Sequence, residues 1–286
     1  MSGAFLRAAT SPRIRIHLIT ALALVLLAIF AERLAPNDIY KTDYTMILKP
    51  PSAKFIMGTD YMGRCVFSRI LCGTATTLKM TFSAVAIIFA FGTVVGVLAG
   101  WLGGTTDTLV MRLADIMLAF PGLILAIAIA GIMGGGLQNA ILAIAAVTWP
   151  RYARLSRSLV MKERGSVYVD AARAAGTGQL AILVRHILPN VLSLMILSAV
   201  MDIGVVTMEL AGLSYLGLGA QPPAPEWGLM LAGGKTYFQT APWLLLAPAL
   251  AIFIVIVIFN LLGDRLRDIL DPRDLGTIAG ERGLDS

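Results

Sequence analysis

Y-V-D-A-A-R-A-A-G-T-G-Q-L-A-I-L-V-R-H-I-L-P-N, residues 168–190, is a soluble-looking helical stretch set between long apolar runs. Ala171, Ala172, Ala174 and Ala175 are strong helix formers with almost no side chain, so a helix forms there and lets another surface come close. Gly176 stops it, because a glycine just past a helix takes the left-handed conformation without a β-carbon penalty. Thr177 is placed to cap a second helix that runs to Leu188, and Pro189, whose missing N–H costs little in a first turn, opens the next apolar span. The expectation is a helix, a sharp turn and a helix, held at a membrane surface.

Composition supplies the membrane. With 286 residues, 57% hydrophobic, 14% charged and a mean hydropathy of +0.80, the chain is too apolar for a soluble globular protein. It reads as an all-α polytopic membrane protein. The net charge of +6 does not point to nucleic acid, since the basic residues flank apolar spans and form no patch interleaved with aromatics. Cys65 and Cys72 are the only cysteines; on a helix they stand roughly 10 Å apart, beyond disulfide reach. His17 and His186 are the only histidines, so the sequence offers no metal-ligand cluster and no clustered catalytic set, which argues against a membrane enzyme. No G-x-x-x-x-G-K-[ST] loop occurs, so ATP and its Mg must be handled by separate subunits if they are used at all.

Six transmembrane helices are expected. The first, 16–30, follows Arg7, Arg13 and Arg15 and precedes Glu32-Arg33 with no A-x-A site between, which favours an uncleaved span over a signal peptide. Span two, 78–102, carries Gly92, Gly96 and Gly100 four apart, a stripe that lets another helix pack against its backbone. Span three, 109–133, has Arg112 and Asp115 spaced to pair on one face, and Pro121 to kink it. Span four starts at Leu137 and runs on through W-P-R-Y-A-R-L-S-R, with Arg151, Arg154 and Arg157 snorkelling toward headgroups. Span five, 189–213, holds Asp202 and Glu209 two turns apart on one face; neither carboxylate belongs in lipid, so each faces protein or water. Span six covers 244–262, and between five and six lies a loop stiffened by Pro222, Pro223 and Pro225, with Trp227 suited to an interface.

Four blocks carry a family resemblance. Asp170-Ala171-Ala172, Gly176 and Leu188-Pro189 fit E-A-A, three residues, Gly, nine residues, I-x-L-P, with Asp for Glu and His186 where Ile is usual. Gly58, Thr59, Asp60, Gly63, Arg64, Ser68, Arg69, Gly73 and Leu78 match a second block, in which Cys65 and Ala75 replace a usual Asp and Arg; these residues also fit a solvated amphipathic helix. The third is Asp107, Met111, Arg112, Asp115, Ala119, Phe120 and Pro121, and the last runs from Asn260 to Pro272. Together they resemble the inner-membrane permease subunits of ATP-binding-cassette importers, in the dipeptide, oligopeptide and nickel branch.

The resemblance implies a type I importer fold with a cytoplasmic coupling loop at 160–189, external loops at 31–77 and 214–243, a cytoplasmic N-terminus (1–15), a permease domain (16–273) and a cytoplasmic tail (274–286). It implies that Asp170, Ala171, Ala172, Gly176, Leu188 and Pro189 couple to an ATPase. Asp202 and Glu209, from their shared helix face and the cost of a carboxylate in lipid, are candidates for the translocation pathway, the alternative being that each is held by hydroxyls or an Arg of a neighbouring helix. The partners the resemblance implies are a second permease subunit in a heterodimer, two ATP-binding subunits with ATP and Mg, an external solute-binding protein and the lipid of a bacterial inner membrane. Of 23 Lys and Arg, 15 fall on the side of the termini, with the first long loop dissenting. The cargo is peptide or nickel, and the residues do not separate the two. A secondary transporter or channel independent of any ATPase is the alternative, for which no inverted internal repeat is found.

Overall fold

The computed structural model describes residues 12–270, with side chains described for 14–268; Arg7, Asp271, Pro272 and the tail lie outside the described residues. The chain is helical almost throughout. α1 (Pro12–Leu34) leads by a loop to α2 (Val66–Leu102), then come α3 (Gly104–Leu118), α4 (Gly122–Met133) and α5 (Leu137–Arg164). α6 (Val167–Ala174) and α7 (Gln179–Ile182) precede a π turn at Leu183–Ile187, and α8 (Leu188–Tyr215), α9 (Trp227–Gly234) and α10 (Trp243–Leu270) complete the bundle.

α2 is the shaft of the molecule. Its 37 residues extend about 55 Å, well beyond the ~30 Å hydrocarbon layer. The glycine stripe works as its spacing predicts: a Cβ on Gly96 would overlap Ser156 Oγ and the carbonyl oxygen of Ala153, and Gly92 and Gly100 abut Tyr152 and Arg157 of α5. α2 and α5 therefore lie parallel with their backbones nearly touching, a contact only glycine permits. α8 and α10 pack antiparallel through Gly204 against Ile256 and Gly263 against Met201. Between α2 and α8 the Thr81 and Thr207 hydroxyls satisfy each other at 3.1 Å in an otherwise apolar interior.

Span two begins earlier than expected. Residues 66–77 are helix rather than loop, because Val66, Ile70, Gly73, Thr74 and Thr77 form a buried face that receives Trp227. Span three is not a kinked helix but two helices, α3 and α4, meeting at 92°. Pro121 has no N–H to continue the ladder of α3 and stands instead as the N-cap of α4, so the break falls where a kink was expected but turns much further. α3 begins at Gly104, five residues before the expected start, and crosses the end of the bundle while α4 runs along it.

Four helices are long and apolar enough to cross a membrane, and the bent pair α3 and α4 makes up to five. α5 fails that test because its second half carries Arg151, Arg154, Arg157, Lys162, Glu163 and Arg164. The chain nevertheless runs end to end along α1, α2, α4, α5, α8 and α10 in alternating directions. One end holds α6, α7 and the π turn, together with the start of α1 and the end of α10.

The other end is closed by a proline-rich cap. Asp60 accepts from Met62 N (2.8 Å), Arg64 N (2.9 Å) and Arg64 Nε (2.7 Å), with Arg69 Nε at 3.7 Å. Arg69 donates onward to the carbonyls of Ile39 (3.0 Å), Pro223 and Ala224 (both 3.4 Å), so one guanidinium ties the first loop to the second. Glu226 caps α9 by accepting from Gly228 N (2.9 Å) and Leu229 N (2.8 Å), and Trp227 Nε1 donates to Ile70 O at 3.1 Å. These groups are buried, which corrects two expectations: the Gly58–Arg69 block is no solvated amphipathic helix, and Trp227, 1% exposed, sits inside the cap rather than at an interface. Cys65 and Cys72 are free and buried.

Candidate coupling element and charged cavity

At the end opposite the cap, α6 terminates as its sequence dictates. Gly176 has φ +78°, its N–H donates to Arg173 O and the Thr177 N–H to Ala172 O, both 3.0 Å, the paired bonds of a Schellman stop. That geometry uses up Thr177. Gly178, not Thr177, holds the N-cap position of α7, and no side chain caps it. The second helix also does not end at Leu188: residues 179–215 form one continuous helix in which Pro189 sits in the first turn of α8. Proline lacks an N–H and its ring would strike the carbonyl four residues back, at Arg185. The backbone answers by widening, and Leu188 N–H donates five residues back to Leu183 O in the π turn.

The element is anchored from beneath by Val169, Ile182 and Ile187, each at most 1% exposed. Its outward side is open. Val167 is 86% exposed and Leu180 71%, with Asp170, Ala171, Gly176 and Pro189 also exposed and Ala172 and Leu188 half-buried. Asp170 accepts from Arg173 Nη1 at 2.9 Å, an exposed pair one turn apart that adds little energy but keeps the carboxylate local.

The second group of expected residues lies within the bundle, and the structure treats its two members differently. Asp202 is held: Arg151 ion-pairs with it and Tyr152 Oη donates to it at 2.8 Å. Glu209, two turns on, forms no hydrogen bond or ion pair among the described residues and faces a cavity of about 140 Å³ lined by Leu118, Gly122, Ala126, Ile144, Val147, Thr148 and Arg151. Arg151, the cation on the cavity wall, is already paired with Asp202, which leaves the Glu209 carboxylate there without an opposite charge of its own.

The arginine triplet of α5 is paired within the chain. Each member has an aspartate: Arg151 with Asp202, Arg154 with Asp115 at 2.6 Å, and Arg157 with Asp107 through two hydrogen bonds. The expected Arg112–Asp115 pair gives way to Arg154–Asp115, because the break at Pro121 lays α3 across α5 and turns Asp115 toward it. The triplet's i, i+3, i+6 spacing was visible in the sequence, and so were two aspartates eight apart; that they face each other was not. Also unforeseen are Glu163 and Asn190, which meet Tyr168 across the foot of the bundle. Among the described residues no group of three or more His, Cys, Asp or Glu is placed to hold a metal ion.

The comparisons with known proteins agree on this architecture. Residues 92–274 match the family model described as binding-protein-dependent transport system inner membrane component. The chain is 44% identical to a dipeptide transport system permease protein of Alkalihalophilus pseudofirmus over 90% of its own length and 85% of that protein. It is 38% identical to the nickel transport system permease protein of Escherichia coli K12, covering 91% of this chain and 94% of the relative. With a glutathione transport system permease protein of Pectobacterium atrosepticum it shares 42% identity over 88% and 84% of the two chains. In fold it is similar to an inward-facing MetNI methionine ABC transporter, with a TM-score of 0.57 at 22% identity over 70% of this chain and 95% of that one. The chain belongs to the binding-protein-dependent transport system inner membrane components, and it is a permease.

Proposed function

We propose that this permease is the membrane subunit of an ATP-driven, binding-protein-dependent importer in the bacterial inner membrane, and that residues 167–189 couple it to the ATPase subunits. The observation that carries the reading is an exposed helix, alanine-rich in its last turn, stopped by a left-handed Gly176 and set on the foot of a helix that runs unbroken to the opposite end. Motion received at α6 has a rigid element through which to travel. The end bearing α6, the start of α1 and the end of α10 is read as cytoplasmic, and the proline-rich cap as the external face on which the binding protein delivers solute. Six membrane passages follow, α5 counting as one because its charged half is neutralised rung by rung against Asp202, Asp115 and Asp107. A second permease completes the pathway, with two ATPase subunits carrying ATP and Mg.

Glu209 is the pathway residue of this reading, and Asp202 acts through Arg151 to shape the same cavity. The Glu209 carboxylate there favours solutes with a positive group, such as the amino end of a peptide or a cationic nickel chelate, in keeping with the cargoes for which the relatives are named. The test is a reconstituted complex carrying Gly176→Val. A β-branched residue held at positive φ costs of order 1 kcal/mol or more and misplaces α6. ATP hydrolysis stimulated by loaded binding protein should fall sharply. Full stimulation would refute the coupling role.

A further inference from the structure

Tyr168 stands at a junction of four chain segments. Its hydroxyl donates to the Glu163 carboxylate at the end of α5 and accepts from Asn190 Nδ2 at 3.1 Å in the first turn of α8. The carbonyl of His186, inside the π turn, lies 3.3 Å from the same oxygen and 3.4 Å from Asn190 Nδ2, and the Tyr168 and His186 rings approach at 6.5 Å. Burial first, and then the hydrogen bond to Glu163, raise the phenol above its ordinary range, so it remains a donor at neutral pH. Beside Glu163, Arg164 Nη1 donates to the carbonyls of Gly100 (2.8 Å) and Trp101 (2.9 Å), and its guanidinium lies over the Trp101 ring. The foot of α5 is thereby fixed to the foot of α2.

Resting on the coupling reading above, we infer that Tyr168 is a positioning residue whose hydroxyl, held between Glu163 and Asn190, makes α6 move as one body with the feet of α5 and α8. Without it, α6 is held by the apolar Val169 anchor and by the chain itself, through the short Gly165-Ser166 link to α5 and, to α8, through a turn and the widened π segment, where helical hydrogen bonding is irregular. A load on α6 could then be absorbed by bending at either place. With it, the load passes directly into α5, whose arginine rungs grip α3 and α8, and into α8, which carries Glu209. Tyr168 is 39% exposed and is not one of the buried core residues.

The experiment measures solute transported per ATP hydrolysed in proteoliposomes containing the full complex and its loaded binding protein. Tyr168→Phe keeps the ring and loses the link. The complex should assemble and hydrolyse ATP, while transport per ATP falls roughly two- to thirtyfold, the span expected for a residue on a coupling route. Glu163→Ala should behave alike, and Glu163→Gln, which keeps an acceptor, should recover part of the loss. An unaltered ratio in Tyr168→Phe and Glu163→Ala overturns the inference, and so does failure of Tyr168→Phe to assemble, which would make the residue part of the loop's own fold. A normal Tyr168→Phe ratio beside an unstimulated Gly176→Val complex removes only the clamp. Full stimulation in Gly176→Val removes the coupling reading and the clamp with it.

Discussion

The cap and the Tyr168–Asn190 element sit at opposite ends of one shaft and handle their polar groups in contrary ways. In the cap, Asp60, Arg64, Arg69 and Glu226 are all 5% exposed or less, and each is held by side-chain or backbone partners within the same chain. In the element, Asp170 and Arg173 face solvent, Leu180 and Val167 present apolar surface to it, and the last turn of the helix between them carries Ala171, Ala172 and Ala174. The cap is internally complete. The element leaves its surface to be covered, and its alanines and glycine give a partner access to backbone. A chain that must accept force at one end and hold a shape at the other gains from this division, because buried charge resists rearrangement whereas small exposed side chains permit docking.

The comparison is most easily broken at Asp60. Asp60→Ala leaves Arg64 and Arg69 buried beside each other with their shared carboxylate gone, a loss that typically costs about 3–5 kcal/mol. The purified permease complex should lose thermal stability by a wide margin. An unaltered melting transition would mean that the cap rests on its backbone hydrogen bonds alone.

A smaller effect is expected where the two ends are joined. Gly96→Val places a branched side chain against the Ala153 carbonyl, forcing α2 and α5 apart at a cost of about 1–3 kcal/mol. If the shaft links the ends, melting falls by less than in Asp60→Ala, yet stimulated ATP hydrolysis falls as well. A loss of stability with intact stimulation would show that α2 and α5 need not remain in register for coupling.

The least change in stability belongs to the open surface. Val167→Ser with Leu180→Ser should alter melting by no more than about 0.5 kcal/mol per site, since neither side chain is packed. Binding of the ATPase subunits, followed by co-purification, should nonetheless weaken. Stability lost without any effect on co-purification would reverse the contrast between the ends.

Much of this was legible in the sequence because the signals are local. The alanine run with Gly176 fixes a helix and its stop through backbone sterics alone, the glycine stripe of α2 announces a close helix contact, and apolar length marks the spans. Local signals also misled, at Thr177 where a second local bond competes and at Asp115 where the partner is distant in sequence. Thr177 has the chemistry of a cap, but the Schellman stop commits its N–H to Ala172 and moves the cap position on by one. Arg112 and Asp115 have the spacing of a pair, but Arg154 lies nearer in space.

The sequence by itself thus determined the helical class, the family motifs and the stop of α6 at Gly176, since each depends on residues within a turn or two of one another. Tertiary structure alone decided which charges meet. It pairs Arg151, Arg154 and Arg157 with three aspartates, buries Glu226 and Trp227 in the cap, leaves Glu209 facing a cavity and gathers Glu163, Tyr168 and Asn190 at one point. The physical reason is that a charge or hydroxyl in a helical bundle is satisfied by whichever neighbour the packing angle brings within 3 Å or so. Those angles are set by the 92° break at Pro121 and the glycine contacts of α2 and α5, not by spacing along the chain.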